Sequence, residues 1–150
     1  MEVNLNVMGS ALTVAQRIAI CFTAATGGAL AVVLFSHVLF ATGISQKLGI
    51  KEPIALKSPD VYRPLFWGGL WGIPFGLLTE TVWNWLYLFG FLYVLAPLAA
   101  LFLFFLPKSG AGYFGLKAGG PKFTLYLVLV NLPFGIATAL VARAIIGNHP

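Results

Sequence analysis

Few side chains in this sequence could carry chemistry, and they are widely spaced. The chain contains two histidines, His37 and His149, and a single cysteine, Cys21. On the topology that the charges predict, the two histidines lie at opposite faces of a membrane, so they cannot ligate one haem iron together. We interpret His37 as a residue at the membrane interface rather than as a metal ligand or proton relay. One cysteine allows neither an intrachain disulfide nor a cysteine-rich metal site.

Glu80 is the acidic residue closest to apolar sequence, and it ends a long uncharged run that starts after Arg63. Arg17 and Arg143 terminate other apolar runs on the same predicted side. An ion pair with one of them would offset the cost of a carboxylate near lipid. A helix-end charge that reaches water is the preferred interpretation, and a gating or proton-coupling carboxylate is the alternative.

Asn131 lies inside the last apolar run, where its amide needs a partner. A contact to another helix is the expected role, and a contact to a substrate or cofactor is the alternative. Pro74 and Pro133 each remove a backbone donor near the middle of an apolar run, so we predict hinges there. The carbonyls that the prolines free could bind ions, as in transporters, although neighbouring groups usually satisfy them.

The glycine-rich segment from Gly110 to Gly115 matches the pattern GxGxxG. A dinucleotide site requires a preceding strand and a helix opened by the glycines, and here an apolar helix is predicted before a loop. The sequence contains no paired carboxylates, no Ser/His/Asp set, no HExxH and no P-loop, so we expect neither an enzyme nor a cofactor. We do expect bound lipid, with headgroups at the lysines around this segment, which are Lys108, Lys117 and Lys122.

Composition places the chain in a membrane. Its 150 residues are 59% hydrophobic and 9% charged, against roughly 25% charged in soluble domains. The mean hydropathy is +0.92. The net charge of +5 would suggest nucleic acid in a soluble protein. Because the basic residues cluster between apolar runs, membrane topology and anionic lipid explain them better, and no nucleic-acid partner is expected.

The apolar runs predict an all-α membrane protein that forms one domain over residues 1–150. Four transmembrane helices are expected, over about residues 17–40, 63–80, 82–106 and 121–146. Residues 1–16 are read as an interfacial segment. No Lys or Arg precedes Arg17, so we expect no cleaved signal peptide. A tight turn is predicted over residues 79–84 and a loop over residues 108–120, with Pro121 in the first turn of the last helix.

Basic residues predict the orientation. The first and third loops hold seven of them, and the termini with the middle turn hold two. The positive-inside rule therefore makes the first and third loops cytoplasmic and places both termini outside.

Small residues recur at helical spacing and predict close helix packing. The expected packing positions are Gly28, Gly68, Gly72, Gly76 and Gly135. The sequence around Pro74 also repeats around Pro133, 59 residues later, and the basic anchors Arg63 and Lys122 have the same offset. Two helical hairpins in parallel pseudo-repeat would explain this, and chance similarity between apolar helices is the alternative.

The run from Tyr62 to Gly72 resembles a stretch found in small four-helix bacterial membrane proteins of no assigned function. The sequence Gly115-Leu116-Lys117, followed by Asn131, is similar too. The resemblance implies a multi-pass protein of the bacterial inner membrane. It implies no activity and assigns no role to any residue.

Two functions are therefore expected from the sequence, with a third less favoured. The first is a non-catalytic membrane subunit that packs against other membrane proteins through its glycine faces. The alternative is a small homo-oligomeric transporter or channel, in which the helices of Pro74 and Pro133 hinge around Asn131. The third is a membrane enzyme that acts on lipid or quinone.

Overall fold

The computed structural model describes residues 11–147. Helices make up 81% of these residues, and no strand occurs among them. Most of the predicted interfacial segment, residues 1–10, and His149 lie outside the described range.

The helices follow one another with short connections. In chain order they are α1 (Val14–Ala41), α2 (Ile44–Lys47), α3 (Tyr62–Val82), a 3₁₀ turn (Trp83–Trp85), α4 (Leu86–Tyr93), α5 (Leu95–Ala100), a π-helical turn (Leu101–Phe105), α6 (Leu106–Lys108), a second 3₁₀ turn (Tyr113–Gly115), α7 (Leu116–Asn131) and α8 (Pro133–Ile146).

Helix α1 begins three residues before the predicted start, because a capping box sets its first turn. The Thr13 hydroxyl accepts a hydrogen bond from the Gln16 backbone, and the Gln16 side chain accepts one from the Thr13 backbone. These bonds satisfy donors that a helix leaves unpaired at its start. The 28 residues of α1 extend about 42 Å, which exceeds the roughly 30 Å of a bilayer core.

Three helical stretches are long and apolar enough to cross a membrane: Val14–Ala41, Tyr62–Lys108 and Tyr113–Ile146. The second stretch contains both the predicted second span and the predicted third span.

The second stretch doubles back on itself. The ring centroids of Trp67 and Phe105 are 5.2 Å apart, although a straight helix would separate these residues by about 57 Å. Nearer the turn, the Tyr93 hydroxyl donates a 2.6 Å hydrogen bond to the Trp71 carbonyl. The reversal occurs at Trp83–Trp85, so the turn predicted over residues 79–84 was placed too early. Helix α3 continues to Val82, which is buried in the core and extends the apolar face of the helix.

Helix α1 is the centre of the bundle and packs against both α3 and α8. The predicted glycines make these contacts. A Cβ atom at Gly72 in α3 would collide with the backbone of Cys21 in α1. A Cβ atom at Gly68 in α3 would collide with the side chain of Ala29, also in α1. Gly76 meets the α1 backbone at Ile18. Because lipid is as apolar as the helices, such close van der Waals packing is the main attraction between them.

The remaining two predicted glycines contact other helices. Gly28 faces Thr138 and the Phe134 backbone of α8, and Gly135 lies against the backbone of Gly90 in α4. All five packing glycines are therefore used in contacts within the chain, and α8 lies between α1 and α4.

The two proline segments have matching local structure. The Thr79 hydroxyl donates to the Phe75 carbonyl at 2.8 Å, and the Thr138 hydroxyl donates to the Phe134 carbonyl at 2.7 Å. Both threonines are fully buried. These residues have the same 59-residue offset as Pro74 and Pro133.

The loop predicted over residues 108–120 is partly wrong, because helical structure begins inside it. A 3₁₀ turn forms at Tyr113–Gly115 and α7 starts at Leu116. Gly120 has a φ of 65°, a conformation that breaks the helical path and suits glycine. The continuous part of α7 starts after this break, at Pro121, where a proline needs no backbone donor.

Candidate functional site

One end of the bundle carries a buried arginine paired with an exposed acid. Arg17 and Glu80 form a salt bridge of 2.6 Å, with 8% of the Arg17 side chain exposed and 61% of the Glu80 side chain. Arg17 also donates to the Leu12 carbonyl at 2.7 Å, while its Nε has no hydrogen-bond partner. The pair ties the start of α1 to the end of α3.

Arg143 lies at the same end of the bundle, but it does not join this pair. Its guanidinium lies 4.5 Å from the ring centroid of Trp83, and it donates a 3.4 Å hydrogen bond to the Trp83 carbonyl. A cation over an indole ring is attracted by the negative face of the ring. Arg143 therefore anchors α8 to the turn between α3 and α4.

Asn131 is separated from these three charged residues. It precedes Arg143 by twelve residues, which is about 18 Å along a helix. The Asn131 amide donates to the Leu127 carbonyl of its own helix at 2.8 Å. Among the described residues its side chain makes no hydrogen bond to another helix, because its amide is bonded within its own helix. The structure thus divides the four polar residues between two places.

Asn131 lines a cleft of about 610 Å³, a size typical of small-molecule sites. Its walls come from the two arms of the α3–α6 hairpin, with residues of α1, α7 and α8 behind them. The lining residues are Ala29, Val32, Arg63, Pro64, Trp67, Gly68, Trp71, Pro97, Leu101, Phe105, Leu106, Ser109, Asn131 and Phe134. The cleft is apolar along most of its length and polar at Arg63, Ser109 and Asn131.

Most of these cleft residues could not be identified from the sequence. In the sequence, Arg63 is recognisable only as the charged end of a predicted span, and Ser109 only as part of a predicted loop. Their proximity depends on how the two arms of the hairpin align, and the alignment is visible only in contacts such as Trp67 against Phe105.

The carbonyls near the two prolines have local partners. Leu129, four residues before Pro133, accepts a 3.2 Å hydrogen bond from the backbone of Leu132. Trp71, three residues before Pro74, accepts the Tyr93 hydroxyl. Pro74 lies inside the continuous helix α3, and Pro133 follows a residue with helical φ and ψ of −51° and −41°. The partner of Leu129 favours a simple kink at Pro133 over an ion-binding carbonyl. The Trp71 bond concerns the carbonyl next to that of Leu70, which is the one that Pro74 frees.

His37 contacts the loop that follows α2. Its Nε2 lies 3.0 Å from the Ile54 carbonyl, and the adjacent Ser36 accepts the Ile54 backbone N–H at 3.1 Å. These two bonds hold the loop against the end of α1. The structure thus gives His37 a structural contact. Within residues 11–147, no group of three or more His, Cys, Asp or Glu side chains is placed to hold a metal ion.

The GxGxxG segment follows helix α6 rather than a strand. Gly110, Gly112 and Gly115 all have positive φ and form the turn between α6 and α7. This geometry lacks the strand that a dinucleotide site needs. The side chains of the three lysines predicted to meet lipid headgroups are exposed around the turn; they are Lys108, Lys117 and Lys122.

Comparisons with protein-family models, with curated protein sequences and with solved structures find no match to this chain.

Proposed function

We propose that this protein is a non-catalytic subunit of a membrane complex, held in the bacterial inner membrane by four crossings. The hairpin at Trp83–Trp85 supports four crossings, because it returns the chain along α3. The two proline segments, with their matched threonine and glycine contacts, support two helical hairpins in parallel pseudo-repeat. The distribution of basic residues supports cytoplasmic first and third loops, with both termini outside.

Cysteine labelling tests this topology. Cys21 is fully buried, so a membrane-impermeant maleimide should leave the wild-type protein unmodified. In intact cells with a permeabilised outer membrane, we expect Asn84→Cys in the exposed turn to be labelled and Lys57→Cys in the first loop to be protected. Lysis should expose both. Labelling of Lys57→Cys before lysis, or equal protection of both positions, would contradict the proposed topology.

The observation that carries the subunit proposal is an exposed aromatic patch, defined as Phe66, Trp67, Phe104 and Phe105. Trp67 packs edge-on against both Phe66 and Phe105, with centroid distances of 6.2 and 5.2 Å. Between 41% and 71% of each of the four residues is exposed. Aromatic residues are enriched at protein interfaces, and π-helical turns occur often at functional sites.

This placement differs from the expected one. From the sequence we expected partner contacts at the glycine faces, but those faces are buried in contacts between helices of this chain. The loss of a partner after a glycine substitution would therefore report misfolding. The aromatic patch is available on the outside of the bundle, so it is the surface that we propose for the partner.

Purification from membranes of the organism that encodes the protein tests the proposal. Native mass spectrometry in nanodiscs should find foreign membrane subunits at fixed stoichiometry. We expect Phe66→Ala/Phe104→Ala to reduce their recovery at least tenfold, because hot-spot truncations typically cost 2 kcal/mol or more. Leu88→Ala is the matched control, since Leu88 is 58% exposed but lies on α4, outside the patch. Unchanged recovery in the double variant would refute this surface.

The cleft keeps the second candidate function open, a homo-oligomeric transporter or channel with hinges at Pro74 and Pro133. Asn131 and Arg63 give the cleft polar groups that a transported solute could contact. A homo-oligomer without foreign subunits in the same experiment would favour this candidate. Flux assays on liposomes with wild-type protein and Asn131→Ala would then decide it.

A further inference from the structure

The cleft has a polar end and an apolar end. The two arms of the hairpin are antiparallel, and Trp67 lies level with Phe105. Arg63, one turn before Trp67, and Ser109, one turn after Phe105, therefore lie at the same end of the cleft. Trp71 and Pro97 lie at the other end, about 12 to 18 Å away along the helices.

Asn131 belongs to the polar end. A Cβ at Gly68 would lie 3.4 Å from the ring of Phe134, so these two residues lie at a similar height along the bundle axis. Helices α3 and α8 both run antiparallel to α1. Arg63 lies about 7.5 Å before Gly68, and Asn131 lies about 4.5 Å before Phe134. The Asn131 amide is therefore about 3 Å from the level of Arg63.

The charge at this end is positive, and no carboxylate within residues 11–147 forms an ion pair with it. In the part of the chain that the structure describes, the only salt bridge joins Arg17 to Glu80, at the opposite end of α3. Asp60, three residues before Arg63, forms no ion pair with it. Lys108 directly precedes Ser109 and adds a second exposed cation at the same end.

We propose that this cleft binds one anionic glycerophospholipid. The phosphate lies at Arg63, with the second N–H of the Asn131 amide as a further donor. The Ser109 hydroxyl, which donates to the Leu106 carbonyl at 2.9 Å, lies at the same end and would turn to the phosphate. One acyl chain runs along Trp67 and Trp71 toward Pro97 and Leu101. Arginine forms paired hydrogen bonds with phosphate, and basic pockets between membrane helices bind anionic headgroups. The apolar remainder of the cleft offers no donors for a phosphate and suits an acyl chain, which favours a phospholipid over a free phosphate.

The site and the aromatic patch share Trp67 and Phe105, but their tests use different residues. Phe66 and Phe104 do not line the cleft, whereas Arg63 and Asn131 do not belong to the aromatic patch. A failure of the lipid site would leave the subunit proposal intact, and the reverse also holds.

Lipid titration of delipidated full-length protein, followed by native mass spectrometry, tests the proposal. We expect one phosphatidylglycerol to bind more tightly than phosphatidylcholine. Arg63→Gln should weaken phosphatidylglycerol binding about tenfold and leave phosphatidylcholine binding unchanged, because a charge-assisted hydrogen bond is lost. Arg63→Lys should restore part of the preference. Trp71→Ala, at the acyl end, should weaken both lipids.

Lys57→Gln is the control, because it removes the same charge from an exposed loop position outside the cleft. Equal losses in Lys57→Gln and Arg63→Gln would overturn the site in favour of general charge attraction. Retention of a neutral isoprenoid quinone in place of phospholipid would also overturn it. So would a second copy of the chain that covers the cleft and excludes lipid.

Discussion

Gly72→Ala is expected to lower the stability of the folded bundle far more than an alanine at Gly27. A Cβ at Gly72 would overlap the Cys21 carbonyl and the Phe22 Cα of α1, so α1 and α3 must separate. Backbone atoms cannot move aside as a flexible side chain can. Overpacking of this kind costs typically 1–3 kcal/mol, and a shift of two whole helices belongs at the upper end, about 3 kcal/mol.

Gly27→Ala provides the matched control. It lies on α1 but faces α8, and its Cβ would meet only a Val141 methyl at 3.5 Å, which is an ordinary contact. Alanine favours a helix over glycine by up to about 1 kcal/mol, so this variant should be neutral or slightly more stable. Thermal unfolding in detergent, followed by circular dichroism and by size-exclusion chromatography, measures both. Equal midpoints for the two variants would mean that α1 and α3 do not approach closely at Gly72.

Glu80→Ala should destabilise the protein more than Arg17→Met, although both remove the same salt bridge. Only 8% of the Arg17 side chain is exposed, against 61% of the Glu80 side chain. Loss of Glu80 leaves a buried cation without its anion, whereas loss of Arg17 leaves a carboxylate that already reaches water. Breaking a buried pair costs about 3–5 kcal/mol, and exposure of Glu80 reduces this to about 2 kcal/mol for Glu80→Ala.

The remaining variants test whether the loss of stability comes from the buried charge of Arg17 or from a general effect of charge. Arg17→Met keeps most of the side-chain volume and should cost at most about 1 kcal/mol. The double variant Arg17→Met/Glu80→Ala should be more stable than Glu80→Ala alone, because no buried charge remains. Glu52→Ala, in an exposed loop, controls for removal of an acid. Chemical unfolding in mixed micelles measures all four, and a double variant less stable than Glu80→Ala would contradict this explanation.

The sequence predicted the helices well where the apolar runs are bounded by charged residues, prolines or glycines. Apolar runs predict helices because a lipid environment leaves the backbone no other way to satisfy its hydrogen bonds. The ends were less accurate, since caps and local geometry set them. The Thr13–Gln16 capping box begins α1 early, and α7 begins at Leu116, inside the predicted loop, with a break at Gly120.

The candidate site, too, was only partly predictable from the sequence. The sequence alone identified Arg17 and Arg143 as possible partners of Glu80, because an acid near lipid needs compensation. Only the structure shows that Arg17 makes the pair. It also indicated that Asn131 needs a contact, but it could not choose among the helix faces that the contact would use. Only the structure shows that the Asn131 amide bonds within its own helix and lines a cleft.

By itself, the sequence determined that this is a helical membrane protein with small-residue faces on its helices, because these properties depend on composition and local spacing. The tertiary structure decided which surfaces remain free. The glycines pack within the chain, the aromatic patch stays outside, and one cleft is lined from three segments by Arg63, Ser109 and Asn131. The physical reason is that one apolar helix face resembles another in lipid, so partners are chosen by shape at the backbone.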